Sequence, residues 1–109
     1  MTRGDVVAVA DRGGDYTGKP RPAVIVQSDD FADTASMTIC PLTRVEKDAP
    51  LLRVRVEPGE GLPLAATSWI EVEKITTVRR DRLGPHIGAL PPEAMAALNR
   101  SLLVFLGIG

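Results

Sequence analysis

Residues 91–106 read PPEAMAALNRSLLVFL, the stretch in which apolar residues recur at helical spacing. Pro91 and Pro92 can only begin a helix, because a proline further inside would remove a hydrogen bond and clash with the preceding turn. Glu93 complements the positive end of the first turn. Met95, Leu98, Leu102, Phe105 and Leu106 then line up as one apolar stripe. Leu103 and Val104 widen it beyond what one core contact needs.

Upstream of that stretch the period changes. Val6 to Ala10, Ala23 to Val26 and Met37 to Leu42 are short, β-branched apolar runs that read as buried strands. Leu52, Val54 and Val56 alternate with Arg53 and Arg55, the period-two pattern of a half-exposed strand. Thr67 to Val78 suits one further strand, with Ile70, Val72 and Lys74 on one face and Trp69, Glu71, Glu73 and Ile75 on the other. A short run at His86 to Leu90 suits another. Residues 11–20 (DRGGDYTGKP), 28–36, 43–50 and 58–63 (PGEGLP) are the loops. Five or more short strands followed by one helix predict a mainly β fold with a C-terminal helix (α+β), a small barrel or curled sheet with the helix packed on it. With no internal repeat, residues 1–109 read as a single domain.

A chain of 109 residues can bury roughly two-thirds of its unfolded surface, enough to fold without staples. Cys40 is the only cysteine, so neither a disulfide framework nor a cysteine-based zinc site is expected within one chain. Arg3 and Asp5 precede any apolar run, against a signal peptide. No apolar stretch approaches the ~20 residues that a membrane span needs. The expected location is cytoplasmic. The formal net charge of −1 argues against a protein held on nucleic acid by bulk electrostatics. Local basic clusters remain, at Lys19/Arg21, Arg53/Arg55 and Arg79/Arg80/Arg82.

Several motifs are decoys. Gly13 to Lys19 fits G-x-x-x-x-G-K, but Pro20 stands where a Ser or Thr should ligate magnesium, and a strand follows instead of a helix. His86 is the only histidine, which excludes a two-histidine acid/base pair within one chain. Cys40, among Ile39, Pro41 and Leu42, reads as core. Glu71 and Glu73 could do acid/base work or form a solvated face balanced by arginines. No His/Asp/Glu cluster has metal spacing, so neither metal nor cofactor is expected. What remains is Lys19-Pro20-Arg21-Pro22. The two prolines restrict the backbone around Arg21, and a rigid guanidinium at a strand start suits a phosphate.

Arg3-Gly4-Asp5-Val6-Val7, followed by Gly18-Lys19-Pro20-Arg21-Pro22-Ala23-Val24-Ile25-Val26-Gln27-Ser28-Asp29, resembles the opening of MazF/PemK toxins. Ile39-Cys40-Pro41-Leu42-Thr43, residues 68–78 (SWIEVEKITTV) and the P-P-E-x-M helix start are similar to later segments of that family, in the same order. The resemblance implies an SH3-like barrel of the MazF/CcdB type, assembled as a homodimer. It implies the toxin of a type II toxin–antitoxin system: a ribosome-independent, metal-independent, sequence-specific endoribonuclease acting on single-stranded RNA and neutralised by a cognate antitoxin. Carried residue by residue, the catalytic pair falls on Arg21 and Thr43, with the ribose 2′-OH attacking the adjacent phosphate. Lys19, Arg44, Glu73, Lys74 and Thr77 are the expected RNA contacts, Glu73 orienting Arg21 or a substrate base. Two departures touch the substrate side: Thr76 stands where many members carry arginine, and loop 11–20 is shorter than usual.

The same fold hosts CcdB, a gyrase poison that cleaves nothing, and Val104-Phe105-Leu106-Gly107-Ile108-Gly109 resembles its C-terminal tail, with Leu106 in place of a tryptophan. A non-catalytic RNA- or peptide-binding barrel is a third reading. Arg21, Thr43 and the R-P strand place the chain with the ribonucleases.

Overall fold

Gly4 sets the entry into the sheet. Its φ of 94° is open to glycine and strained for other residues, and a Cβ there would lie 2.9 Å from the Met95 sulfur. That geometry lets the Gly4 N–H donate to the Ile25 carbonyl at 2.8 Å while its carbonyl accepts from the Leu90 N–H at 2.9 Å. Arg3 reinforces the corner, its Nε donating to the Val26 carbonyl and its backbone N–H to Asp29 Oδ1. Ser28 caps the short 3₁₀ turn at Asp29–Phe31. The R-G-D and S-D signatures are thus the two sides of one structural corner.

The computed structural model describes residues 1–10 and 20–109. Among them are β1 (Asp5–Val9), β2 (Arg21–Ile25), β3 (Ser36–Thr43), β4 (Arg53–Val56), β5 (Ser68–Glu71), β6 (Thr76–Arg79), β7 (Leu83–Ala89) and the helix α1 (Pro92–Leu106). The strands form one seven-stranded antiparallel sheet in the order β4-β5-β3-β2-β1-β7, with β6 beside the first half of β3. This is the mainly β architecture with a C-terminal helix that the hydrophobic pattern predicts.

Period-two alternation gives the sheet two buried faces. Val6, Val24 and Cys40 are cross-strand neighbours, all fully buried, and they meet Ala94, Leu98 and Leu102 of α1 in the main core. Val7, Ala23, Ile25, Met37, Ile39 and Val78 form a second cluster. Cys40 is core, as its neighbours in the sequence suggest, and burial pushes its thiol up to about 12.

The stretch from Thr67 to Val78 is not one strand. It breaks into β5, a 3₁₀ turn at Val72–Lys74, and β6, both halves lying along β3. The two cores explain the break. Residues 70, 72 and 78 share parity, so an unbroken strand would aim all three at one face. The turn keeps Ile70 and Val72 in the main core and delivers Val78 to the second. Lys74 consequently leaves the face of Ile70 and Val72 and is largely exposed. The alternation at 52–56 holds for Val54 and Val56, which are buried, and for Arg55, which is exposed, but the Arg53 side chain is only 6% exposed.

Helix α1 ends on Gly107 in the left-handed conformation, φ 70°. The Ile108 N–H donates to the Leu103 carbonyl at 2.9 Å and that of Gly107 to Val104 at 3.2 Å, a Schellman-type stop. Gly107 in the Leu-Gly-Ile tail is therefore accounted for as the helix stop.

Candidate active site

Arg21 opens β2 between Pro20 and Pro22, and Thr43 closes β3. The β2–β3 register pairs Ala23 with Pro41; carried two positions further, it sets Arg21 across from Thr43. Pro22 costs the sheet little, because a strand's first residues can do without a ladder donor. Both side chains line one groove with Arg44, Leu64 and Ser68, and Arg44 is exposed there. Thr43 Oγ1 accepts a hydrogen bond from the Val45 N–H at 3.2 Å, which occupies a lone pair and leaves its own proton to give. A guanidinium and a hydroxyl donor thus converge from adjacent strand ends.

Arg21 also lines a second groove, with Thr76, Thr77 and Arg82. Thr77 Oγ1 lies 3.2 Å from Thr38 Oγ1, and Arg82 is anchored on the Ala10 carbonyl through Nε and Nη2. The two grooves meet at Arg21. Among the described residues that line them, the charged ones are Arg21, Arg44 and Arg82, and none is a carboxylate or an imidazole. A chain of net charge −1 therefore concentrates positive charge along this track, which suits a phosphodiester backbone.

Of the other expected contacts, Glu73 and Lys74 line neither groove. Lys19, like the decoy Gly13–Lys19 motif, lies outside the described residues. Glu73, expected to orient Arg21 or a substrate base, gives its carboxylate to Arg53, which donates to it at 2.8, 3.1 and 3.2 Å. Those hydrogen bonds hold Glu73 below the usual carboxylate range, against the opposing effect of burial. Lys74 Nζ sits 3.1 Å from Glu71 Oε2. Glu71 at the end of β5, Glu73 and Lys74 on the 3₁₀ turn, and Arg53 of β4 form one charge cluster. His86 is exposed on β7, with Nε2 3.4 Å from Asp5 Oδ1. Burial would raise the Asp5 carboxyl, but the Thr2 N–H and His86 hold it below its ordinary value.

Sequence reasoning missed Ser68 and Arg82 as groove residues. Ser68 is buried, its Oγ donating to the Ala66 carbonyl. The basic cluster Arg79/Arg80/Arg82 is the only local signal for Arg82, and each residue reaches its groove through the pairing of distant strands. Among the described residues no three metal-ligating side chains come together, and no helix is long and apolar enough to cross a membrane.

A sequence model of the PemK-like, MazF-like toxins of type II toxin–antitoxin systems matches residues 2–106. A probable endoribonuclease MazF from Mycolicibacterium smegmatis is 48% identical over 108 residues, which are 99% of this chain and 98% of that protein. Among solved structures, an endoribonuclease in complex with its cognate antitoxin, from a mycobacterial species, superposes with a TM-score of 0.77 at 25% identity. That match covers 100% of this chain and 97% of the other. MazF from Deinococcus radiodurans superposes with a TM-score of 0.78 at 21% identity, over 99% and 97% of the two chains, a likeness of fold.

Proposed function

The chain belongs to the PemK-like, MazF-like toxin family of type II toxin–antitoxin systems, and on that premise we propose that it is a single-domain, metal-independent endoribonuclease that cuts single-stranded RNA in the cytoplasm. The observation that carries the reading is that Arg21 and Thr43 line one groove, in which none of the described residues is a carboxylate. In the proposed reaction the ribose 2′-oxygen attacks the adjacent phosphorus and loses its proton. The bond from phosphorus to the 5′-oxygen breaks, and that oxygen takes up a proton. The products are a 2′,3′-cyclic phosphate and a 5′-OH. A guanidinium keeps its proton in proteins, so Arg21 stabilises the pentavalent anion or assists the leaving oxygen and does not act as base. Thr43 donates its free proton to a non-bridging oxygen. Such preorganised donors supply on the order of 3 kcal/mol each. The gyrase-poison alternative rests on the likeness of the C-terminal tail, whose Gly107 the helix stop explains.

Incubating the purified protein with a long RNA in excess EDTA, then mapping the cut ends, tests the proposal. Cuts at a short recurring sequence, with cyclic phosphate and 5′-OH termini, are expected. Cleavage abolished by EDTA and restored by a divalent ion would overturn the metal-free route.

The proposed assembly is a symmetric homodimer, with the cognate antitoxin covering the RNA groove. Leu103, Val104, Phe105, Leu106 and Ile108 are 41–60% exposed on the end of α1, more apolar surface than an isolated chain of this size usually leaves in one place. Light scattering at micromolar concentration should give twice the chain mass. A monomer mass would count against the pairing.

A further inference from the structure

Trp69 is the only tryptophan in the chain, and its position in the sheet gives it a use. In β5 it is directly opposite Thr43 of β3 on one side and Arg55 of β4 on the other. The next row of the same strands, Leu42, Ile70 and Val54, is buried in the main core. Thr43, Trp69 and Arg55 therefore project together from the opposite face. Directly opposed residues in an antiparallel pair have Cα atoms about 4.5–5.5 Å apart, which places the indole within one nucleotide of a phosphate held at Thr43. Trp69 is half-buried and forms one wall of a cleft with Lys47, Arg53 and Arg55, while Glu46 and Asp48 line the same cleft and Arg53 is paired with Glu73. Arg55 is itself tied to Glu57 at 2.6 Å. With its charges so mixed, the cleft offers little net pull on a phosphate chain, and its distinctive feature is a flat aromatic surface. A bland role for Trp69, covering the sheet beneath Arg55, would need no such proximity to the candidate catalytic threonine.

We infer that Trp69 is a stacking platform for the nucleobase flanking the scissile phosphate, and that it contributes to which RNA sequence is cut. The inference rests on the ribonuclease reading and adds a substrate subsite to it. Base–aromatic stacking is worth enough that removing the ring should raise KM at least about fivefold.

The test uses an RNA containing the mapped cut site, made uncleavable by a 2′-O-methyl group on the attacking ribose. Because Trp69 is the sole tryptophan, its fluorescence reports on the subsite directly. Titrating this RNA into the wild-type protein should quench the fluorescence. The same RNA with an abasic nucleotide beside the scissile phosphate should not. On cleavable RNA, Trp69→Leu should raise KM with kcat held within about twofold, and Trp69→Phe should recover most of the loss. Fluorescence indifferent to RNA, or a Trp69→Leu defect confined to kcat, overturns the subsite while leaving the ribonuclease intact. Failure of the wild-type protein to cut any RNA overturns the ribonuclease reading and this inference with it. Should Trp69→Leu fail to fold, the wild-type titration still decides.

Discussion

Arg21→Ala should reduce RNA cleavage by at least ~100-fold, the scale of losing one preorganised donor to a developing anion, and Thr43→Ala should do the same. Neither change should unfold the protein. Arg21 is exposed at the edge of its strand and belongs to neither core cluster. Thr43→Ala removes one local hydrogen bond, that from the Val45 N–H, worth about 1 kcal/mol. Conservative changes separate chemistry from shape. Thr43→Ser keeps a hydroxyl and should retain most activity, whereas Arg21→Lys keeps a charge without the planar fork and should not. Single-turnover cleavage rates, read beside thermal unfolding, check both. Full activity in either alanine variant would remove that residue from the mechanism.

The difference between these two residues and the rest of the site shows what a sequence can carry. Thr43 is marked only by the likeness of Ile39–Thr43 to the family's segment, whereas Arg21 is marked by the two prolines that flank it, a purely local constraint. The C-terminal helix is legible for the same reason: its period changes within a single segment. The partner of Glu73 is not legible, because Arg53 lies twenty residues away on another strand, and only the β4–β5 pairing brings them together. Alternation at 52–56 could not show that one of two arginines on the outward face would be buried. The split of residues 67–78 was hidden more deeply. Periodicity says that Ile70, Val72 and Val78 are apolar and in phase; it does not say that the fold has two cores and that the strand must change sides between them. Family likeness recovered the order of segments but not these pairings.

Arg53→Ala should destabilise the fold by about 3–5 kcal/mol at neutral pH, the cost of breaking a buried ion pair and leaving its partners uncompensated. The Arg53 side chain is 6% exposed; Glu71, at 9%, lies 3.4 Å from it, and Glu73, at 23%, lies at 2.8 Å. Lys74 is the remaining cation on Glu71, and it is mostly in solvent, where such pairs contribute little. Removing Arg53 thus strands two carboxylates at the turn that switches the chain from one core to the other. The pH dependence gives an independent signature. Arg53 holds the Glu73 carboxyl below its unfolded value. The corresponding stability is therefore fully present above the unfolded carboxyl pKa of about 4.3 and is lost as pH falls through the lower, folded value. Without Arg53 the opposing effect of burial remains, so acidification should relieve the variant of unpaired charge while it weakens the wild type. The two urea midpoints, measured at one protomer concentration, should be far apart at pH 7 and should approach each other below about pH 4. A gap under about 1 kcal/mol at pH 7, within the range of an exposed pair, or a gap that does not narrow in acid, would mean that the cluster is a surface feature and that the turn at Val72–Lys74 is held by Val72 alone.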